Sequence, residues 1–214
     1  MTVSRDSEEE IVLPDTDSPI VLWRDGVCQI APKLPYSAIL PGAFNPIHEG
    51  HRQLRDAAAA FLGCSVLFEL SIHNADKPTL SAHEVHKRLK TISDEDVLVT
   101  NAALFVDKAD LFPGHWFVVG FDTAERILNP QYYNHDLGQR DQFLRKMSAA
   151  KIQFLVAGRV DLTGESGDFR TSDQLSAGHD YCEMFVELPE SCFRLDLSST
   201  MIRRQQRCAD DTSS

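Results

Sequence analysis

From residue 36 onward, short apolar runs alternate with longer amphipathic segments, and this alternation limits the fold more than any other feature of the chain. Each apolar run has the length of one buried strand, and each following segment has helical spacing. Strands that alternate with helices build a parallel sheet covered by helices on both faces. The sequence therefore predicts an α/β fold with a doubly wound parallel sheet, and 214 residues suit a single domain of this kind.

The individual elements follow from the same pattern. The predicted strands are 36–42, 64–72, 96–101, 115–121, 151–160 and 181–188. The predicted helices are 48–63, 81–92, 122–129, 139–150 and 198–208. Gly63 is expected to end the first helix, and Ser81 with Glu84 forms a capping-box signal for the second. Asp122 is the expected N-cap of the third helix.

The segments before this core differ from it. Residues 1–18 hold six acidic side chains and one arginine, which is typical of a disordered tail. Two apolar runs around Asp25-Gly26, in residues 21–30, predict a β-hairpin. We therefore expect an N-terminal hairpin extension over 19–35, a main domain over 36–208 and a flexible tail over 209–214. A Gly-, Ser- and Asp-rich insert at 161–178 is expected to be a loop and has no assigned role.

Composition excludes several classes of function. The net charge of −11 argues against a general nucleic-acid surface, although a local positive pocket could still bind a small anion. No apolar run approaches the roughly 20 residues of a membrane span, and the N-terminus lacks the order of a secretory signal. Five cysteines without a CxxC pair predict reduced, mostly buried thiols. These features predict a cytoplasmic protein with neither a nucleic acid nor a membrane as its partner.

The stretch PGAFNPIHEGH, residues 41–51, ends the first strand of the alternating region with two histidines three residues apart. One interpretation is a metal site. Zinc proteases, however, use H-E-x-x-H with histidines four residues apart, and both HEGH (48–51) and HEVH (83–86) are one residue short. A phosphate site fits better, because a helix start offers unpaired N–H groups and Gly50 leaves room for a ligand. The ring of His51 adds a hydrogen-bond donor.

Residues 42–51 resemble the G-x-F-x-P-x-H-x-G-H signature of the HxGH nucleotidyltransferase superfamily. LSSTMIRR (197–204) resembles the I-S-S-T-x-I-R form found in nicotinamide and nicotinate mononucleotide adenylyltransferases. FVVGFD (117–122) is similar to the superfamily strand that ends in G-x-D near the nucleotide. The resemblance covers about residues 36–207 and implies a Rossmann-like fold. Since both signatures lie at the carboxyl edge of the expected sheet, they can meet one triphosphate.

The resemblance implies adenylyl transfer: a mononucleotide phosphate attacks the α-phosphorus of ATP, and pyrophosphate leaves. Catalysis would then consist of positioning and charge stabilisation. The implied catalytic residues are His48, His51, Lys77 and Arg203. The implied nucleotide-binding residues are Gly42, Ala43, Phe44, His48, His51, Gly120, Asp122, Ser198, Ser199, Thr200 and Arg203. Mg²⁺ would be bound through the substrate phosphates, with no protein metal site, and a homo-oligomer is compatible with the family.

Within the resemblance, Lys77 matches a lysine near the mononucleotide phosphate. Arg88 is interpreted as a solvated residue of an amphipathic helix. Candidate aromatic residues for stacking on a nicotinamide ring are Trp116, Phe121, Tyr132 and Tyr133. The acceptor stays open between nicotinamide and nicotinate mononucleotide. The alternatives are a cytidylyltransferase, a phosphopantetheine-type adenylyltransferase, and a nucleotide-binding regulator without turnover.

Overall fold

The computed structural model of the protein describes residues 13–15, 17–30, 38–73, 78–92, 95–160, 169–170, 175 and 181–194. Ten strands lie in this part of the chain: β1 Ile20–Arg24, β2 Val27–Ile30, β3 Ala38–Pro41, β4 Val66–Ser71, β5 Val97–Thr100, β6 Trp116–Gly120, β7 Gln153–Ala157, β8 Arg159–Val160, β9 Phe169–Arg170 and β10 Phe185–Leu188. The α-helices there are α1 Glu49–Leu62, α2 Ala82–Lys90, α3 Phe105–Leu111, α4 Phe121–Leu128 and α5 Leu137–Ala149. Short 3₁₀ helices cover Pro130–Tyr133 and Cys182–Met184.

Eight of these strands form one sheet in the order β10-β7-β6-β3-β4-β5-β1-β2. The six strands from β10 to β5 run parallel, as the alternating pattern predicts. The chain runs from β3 outward to β5 and then returns to the other side of β3 as β6. The strand order therefore reverses between β3 and β6, and ligands of open α/β sheets bind beyond the carboxyl ends at such a point. The predicted fold class is confirmed.

Helices cover both faces of the sheet. One core cluster joins the sheet to α1 and α2 through Ala58, Val85 and Leu89. The other cluster joins the opposite face to α3, α4 and α5. This two-sided burial explains why the parallel strands read as nearly continuous apolar runs in the sequence.

The predicted hairpin is confirmed, with Asp25 and Gly26 at φ values of 50° and 83° in its turn. It is part of the main sheet, because β1 pairs antiparallel with β5. Gly63 ends α1 with φ 65°, and the Ser81–Glu84 capping box begins α2.

Other details of the predicted elements were wrong. The 151–160 run is split into β7 and β8, and the 181–188 run begins with a 3₁₀ turn before β10. The α3 helix was not predicted, because it has seven residues and its N-cap, Leu104, has no side-chain oxygen. Helix α5 begins two residues earlier than predicted, since Asp136 Oδ1 accepts hydrogen bonds from the N–H groups of Gly138 and Gln139.

The cysteine prediction was also wrong in part. Cys64 is half-buried, but Cys182 and Cys192 are exposed, so these two do not serve as buried hydrophobic side chains. The C-terminal helix predicted at 198–208, the tail at 209–214, residues 1–12 and most of the insert at 161–178 lie outside the described residues.

Candidate active site at the carboxyl edge of the sheet

The loop between β3 and α1 begins with Gly42 and ends at His48. The Gly42 N–H donates to the backbone oxygen of Glu69 at 2.9 Å, which ties the start of the loop to β4. Phe44 adopts φ 41° and is buried, with its ring edge-to-face against Phe68 at 5.2 Å. The loop is therefore held to the core by its own aromatic side chain.

Phe44 also explains why residue 42 is a glycine. A Cβ on residue 42 would lie 2.5 Å from Phe44 Cε1, a distance that a real Cβ contact does not reach. The family resemblance implied that Gly42 contacts the nucleotide. The packing of Phe44 is by itself a sufficient reason for a glycine at this position. The nucleotide contact of Gly42, Ala43 and Phe44 stays a prediction.

His48 and His51 lie at the start of α1, where His48 is the N-cap and His51 belongs to the first turn. Their rings are stacked with centroids 3.7 Å apart. The His48 N–H donates to His51 Nδ1 at 3.2 Å, and Phe44 contacts the His51 ring edge-to-face at 5.3 Å. The backbone and Phe44 thus fix the orientation of the His51 ring.

These contacts also determine the chemical form of His51. Burial, and then the neighbouring His48, lower the pKa of His51 from 6.5 to about 4, so the ring is neutral at physiological pH. Because Nδ1 accepts a hydrogen bond, the proton lies on Nε2. His51 therefore presents an Nε2–H donor, and the cationic form of the ring is disfavoured.

A cavity of about 210 Å³ lies beyond the carboxyl ends of β3 and β4, next to α3. Its polar lining includes Glu69, Ser71, Arg88 and Lys108. Arg88 Nη1 donates to the Ala43 carbonyl oxygen at 2.9 Å. The prediction of a merely solvated Arg88 was therefore wrong, because α2 directs this side chain to the loop that precedes the histidines.

The residues after β6 complete this edge of the sheet. Gly120 is the last residue of β6 and the N-cap of α4, so the prediction that Asp122 caps this helix was wrong. Asp122 is exposed in the first turn instead. A Cβ on Gly120 would meet no atom within 4 Å among the described residues. Since β6 pairs with β3, Gly120 and Asp122 lie at the point where the strand order reverses.

Comparison with known proteins agrees with this geometry. Residues 39–205, more than half of the chain, match the family model described as cytidylyltransferase-like. The chain belongs to the cytidylyltransferase-like family. The resemblance stated from the HxGH signature is thereby confirmed, and the matched range includes both signature segments.

A curated relative of this chain is a protein of Schizosaccharomyces pombe named "Putative nicotinamide mononucleotide adenylyltransferase". The two are 36% identical over 116 residues, which cover 48% of this chain and 46% of the relative. The chain therefore spans about half the length of the curated relative it matches.

Lys77 and the second signature, with Ser198, Ser199, Thr200 and Arg203, lie outside the described residues. The structure therefore brings together the HxGH segment with Gly120 and Asp122, and their relation to the second signature stays a prediction.

The four aromatic candidates are engaged elsewhere. Trp116 is the first residue of β6, at the opposite end from Gly120, and Phe121 is buried. The Tyr133 hydroxyl donates to the Ile127 carbonyl oxygen at 2.7 Å, and Arg126 lies over the Tyr132 ring at 5.9 Å. None of the four lines the cavity, as far as the described residues form it.

Sequence reasoning missed several residues of the cavity, among them Glu69, Ser71, Phe105 and Lys108. Glu69 carried a signal, because a carboxylate inside the apolar run CSVLFELSI is unusual for a strand buried on both faces. Phe105 and Lys108 could not be assigned to the site, since their helix was not predicted.

Two features are absent from the residues that the structure describes. These residues include no group of three or more His, Cys, Asp or Glu side chains arranged to hold a metal ion. None of their helices is long and apolar enough to cross a bilayer. Cytoplasmic location, the oligomeric state and the absence of a nucleic-acid partner stay predictions.

Proposed function

We propose that this protein transfers AMP from ATP to nicotinamide mononucleotide or nicotinate mononucleotide and releases pyrophosphate. The observation that carries the proposal is His51, held by the His48 N–H and stacked on His48 at the start of α1, at the point where the strand order reverses. Family membership and the name of the fission-yeast relative support the choice of reaction. The SSTMIR form of the second signature supports the mononucleotide acceptor.

His51 has a form that suits phosphoryl chemistry. A neutral imidazole with its proton on Nε2 donates a hydrogen bond to charge that develops on the α-phosphoryl oxygens. The fixed ring needs no reorganisation during the reaction, because Phe44 and the His48 N–H already hold it. In this proposal His48 and the first amides of α1 contribute further donors, since a helix start carries partial positive charge.

The reaction needs no covalent intermediate. An oxygen of the mononucleotide phosphate forms a bond to the α-phosphorus of ATP, the bond to the β-phosphate oxygen breaks, and pyrophosphate leaves with its electron pair. Ser198, Ser199, Thr200 and Arg203 would hold the leaving phosphates. Lys77 would bind the phosphate of the acceptor, and Gly120 and Asp122 would contact a ribose or the second substrate. These roles are proposed from the family signatures.

Mg²⁺ fits this arrangement as an ion held by substrate. Magnesium commonly binds through phosphates and one or two carboxylates, and it keeps several waters. In this proposal the ATP phosphates hold the ion, and Asp122 keeps its role toward a ribose or the second substrate. The bound ion would neutralise phosphate charge.

The test is pyrophosphate release by the purified protein with Mg²⁺. ATP and CTP are each offered with nicotinamide mononucleotide, nicotinate mononucleotide, phosphopantetheine or phosphocholine. We expect release with ATP and a mononucleotide. Release only with CTP or only with phosphopantetheine would replace the proposal by the corresponding transferase. ATP binding without release for any acceptor would favour a regulator without turnover.

His51→Ala tests the role of the histidine in the same assay. Loss of one preorganised donor to a developing oxyanion lowers kcat by roughly 10²–10³-fold. His83→Ala is the matched control, because His83 is an exposed histidine on α2 that does not line the cavity. Near-normal turnover by a folded His51→Ala variant would remove His51 from the mechanism.

A further inference from the structure

A buried ion pair lines the cavity and has no role in the chemistry proposed above. Glu69, in β4, is fully buried, and Lys108, in α3, is 4% exposed. Glu69 Oε1 accepts hydrogen bonds from Lys108 Nζ and Thr100 Oγ1, each at 2.5 Å. Both charged residues border the cavity beside Gly42 and Ala43. The pair is therefore next to the loop that leads to the histidines.

The second carboxylate oxygen of this pair is unsatisfied. Glu69 Oε2 is buried and has no hydrogen-bond partner among the described residues. A buried oxygen without a donor lowers the stability of the fold, and two apolar side chains of similar volume would avoid that loss. A buried charged pair with an unused acceptor, next to a cavity, is therefore better explained by a ligand than by stability.

The size of the cavity limits what can reach Glu69. Pockets for whole drug-sized ligands measure roughly 300–1,000 Å³, and this cavity measures about 210 Å³. It suits one ring with a small substituent, while the rest of a nucleotide would extend along the Gly42–His48 loop. Phe105, which is half-buried, contributes an aromatic wall. A ring with a hydrogen-bond donor at one end would satisfy Glu69 Oε2.

We propose that Glu69 accepts a hydrogen bond from the carboxamide of the acceptor, so that the enzyme selects nicotinamide mononucleotide over nicotinate mononucleotide. This inference rests on the proposed function, because it takes the cavity as the acceptor site. The amide N–H would donate to Oε2. The acid form would place a second carboxylate against a buried one, and like charges repel strongly where water is excluded. Lys108 offsets this repulsion only in part, since its ammonium group is already bound to Oε1.

The experiment measures kcat/KM for both mononucleotides with saturating ATP. We expect the wild-type enzyme to prefer the amide form by at least about tenfold, because a site built to bind a donor rejects an analogue that lacks it. Glu69→Gln removes the like charge and adds an N–H donor, so this ratio should fall by about tenfold or more. Leu70→Val is the matched control. Leu70 is the next residue of β4 and is buried in the core cluster on the other face of the sheet. The Leu70→Val variant should therefore keep the wild-type ratio of kcat/KM for the two mononucleotides.

A second variant tests the same proposal if Glu69→Gln does not fold because Lys108 is left unpaired. The double variant Glu69→Gln/Lys108→Met removes both charges, and its ratio should approach one. A purely structural pair would lower kcat/KM equally for both substrates. A ratio that stays within about twofold of wild type in the folded variants would therefore overturn the proposal, as would a wild-type enzyme that prefers the acid form or treats both forms alike.

Failure of the proposed reaction has a different signature. If the wild-type protein releases no pyrophosphate with either mononucleotide, calorimetry measures the binding of each one to the wild type and to Glu69→Gln. A preference of the wild type for binding the amide form that falls by about tenfold or more in the variant, with ATP binding retained, would support the role of Glu69 without the transfer reaction. Binding of neither form would overturn both proposals.

Discussion

His51 shows how one residue can link stability to pH. Its pKa is about 4 in the folded protein and near 6.5 in an unfolded chain, so between these values the unfolded chain binds more protons. The free energy of unfolding should therefore fall by up to about 3 kcal/mol as the pH drops from 6.5 to 4, and the contribution is complete above pH 6.5. Urea unfolding of His51→Gln across this range should show a flatter dependence than the wild type.

The control for this measurement is His83→Gln, the same change at an exposed position of α2. It should leave the slope between pH 6.5 and 4 unchanged. Equal slopes for wild type and His51→Gln would mean that His51 titrates normally in the folded protein, and the assignment of a neutral Nε2–H donor would lose its support.

Two glycines of the site should respond differently to the same small change. Gly42→Ala places a Cβ 2.5 Å from the buried Phe44 ring, so Phe44 must move, and overpacking of this kind costs roughly 1–3 kcal/mol. The displaced ring should also lower turnover, because it contacts His51. Gly120→Ala is the matched control for stability, since its Cβ meets no atom of the described residues within 4 Å and φ is −76°. Urea unfolding of both variants checks the prediction, which equal stabilities would contradict.

At the scale of elements, α2 supports the site through one hydrogen bond. Arg88→Ala removes the hydrogen bond to the Ala43 carbonyl oxygen, so the loop before the histidines should become less ordered. We expect kcat/KM to fall by roughly three- to tenfold, since hydrogen bonds from charged donors contribute about 1.5–3 kcal/mol and this one is partly exposed to solvent. Steady-state kinetics measures the effect. Lys87→Ala, at the exposed neighbouring position, should behave as wild type, and an equal loss in both variants would refute the positioning role.

The elements that the sequence predicts well are those with local signals. Gly63 and the Ser81–Glu84 pair mark helix ends through their own backbone and side-chain chemistry, and both lie where expected. Helix α3 has no such signal, because Leu104 is its N-cap and Asp107 caps it from within. Asp122 was misassigned, since a backbone N-cap at Gly120 is compatible with the same sequence.

The whole molecule includes the N-terminal hairpin in its core. Val21 and Trp23 of β1 are buried, and Trp23 contacts His86 of α2 edge-to-face at 6.0 Å. Trp23→Ala should therefore lower the free energy of unfolding by roughly 3–5 kcal/mol. The kcat of the folded variant should change little, because β1 lies three strands away from β3.

Urea unfolding and turnover at a temperature where the variant is folded measure the two effects. Val27→Ala on β2 is the control, since Val27 is 52% exposed and its loss should cost little stability. A small stability change for Trp23→Ala would show that the hairpin is an appendage that the sheet does not need.

The site could be predicted from the sequence only where one motif contains it. His48 and His51 were identified because the loop and helix start that hold them are contiguous. Glu69, Arg88 and Lys108 come from a strand and two helices that meet only in the folded protein, through the register of β4 beside β3 and β5. Their convergence depends on strand order, which alternation alone does not specify.

The pairing of β1 with β5 also has a consequence for how the protein is made on the ribosome. The hairpin ends at Ile30, but its partner strand ends at Thr100, about 70 residues later. At roughly 5–20 residues per second, the ribosome needs several seconds to deliver β5. An isolated two-stranded hairpin is at best marginally stable in water. Val21 and Trp23 of the nascent hairpin therefore stay unburied until β5 emerges. Chaperone contact with the nascent chain should be strongest in this interval.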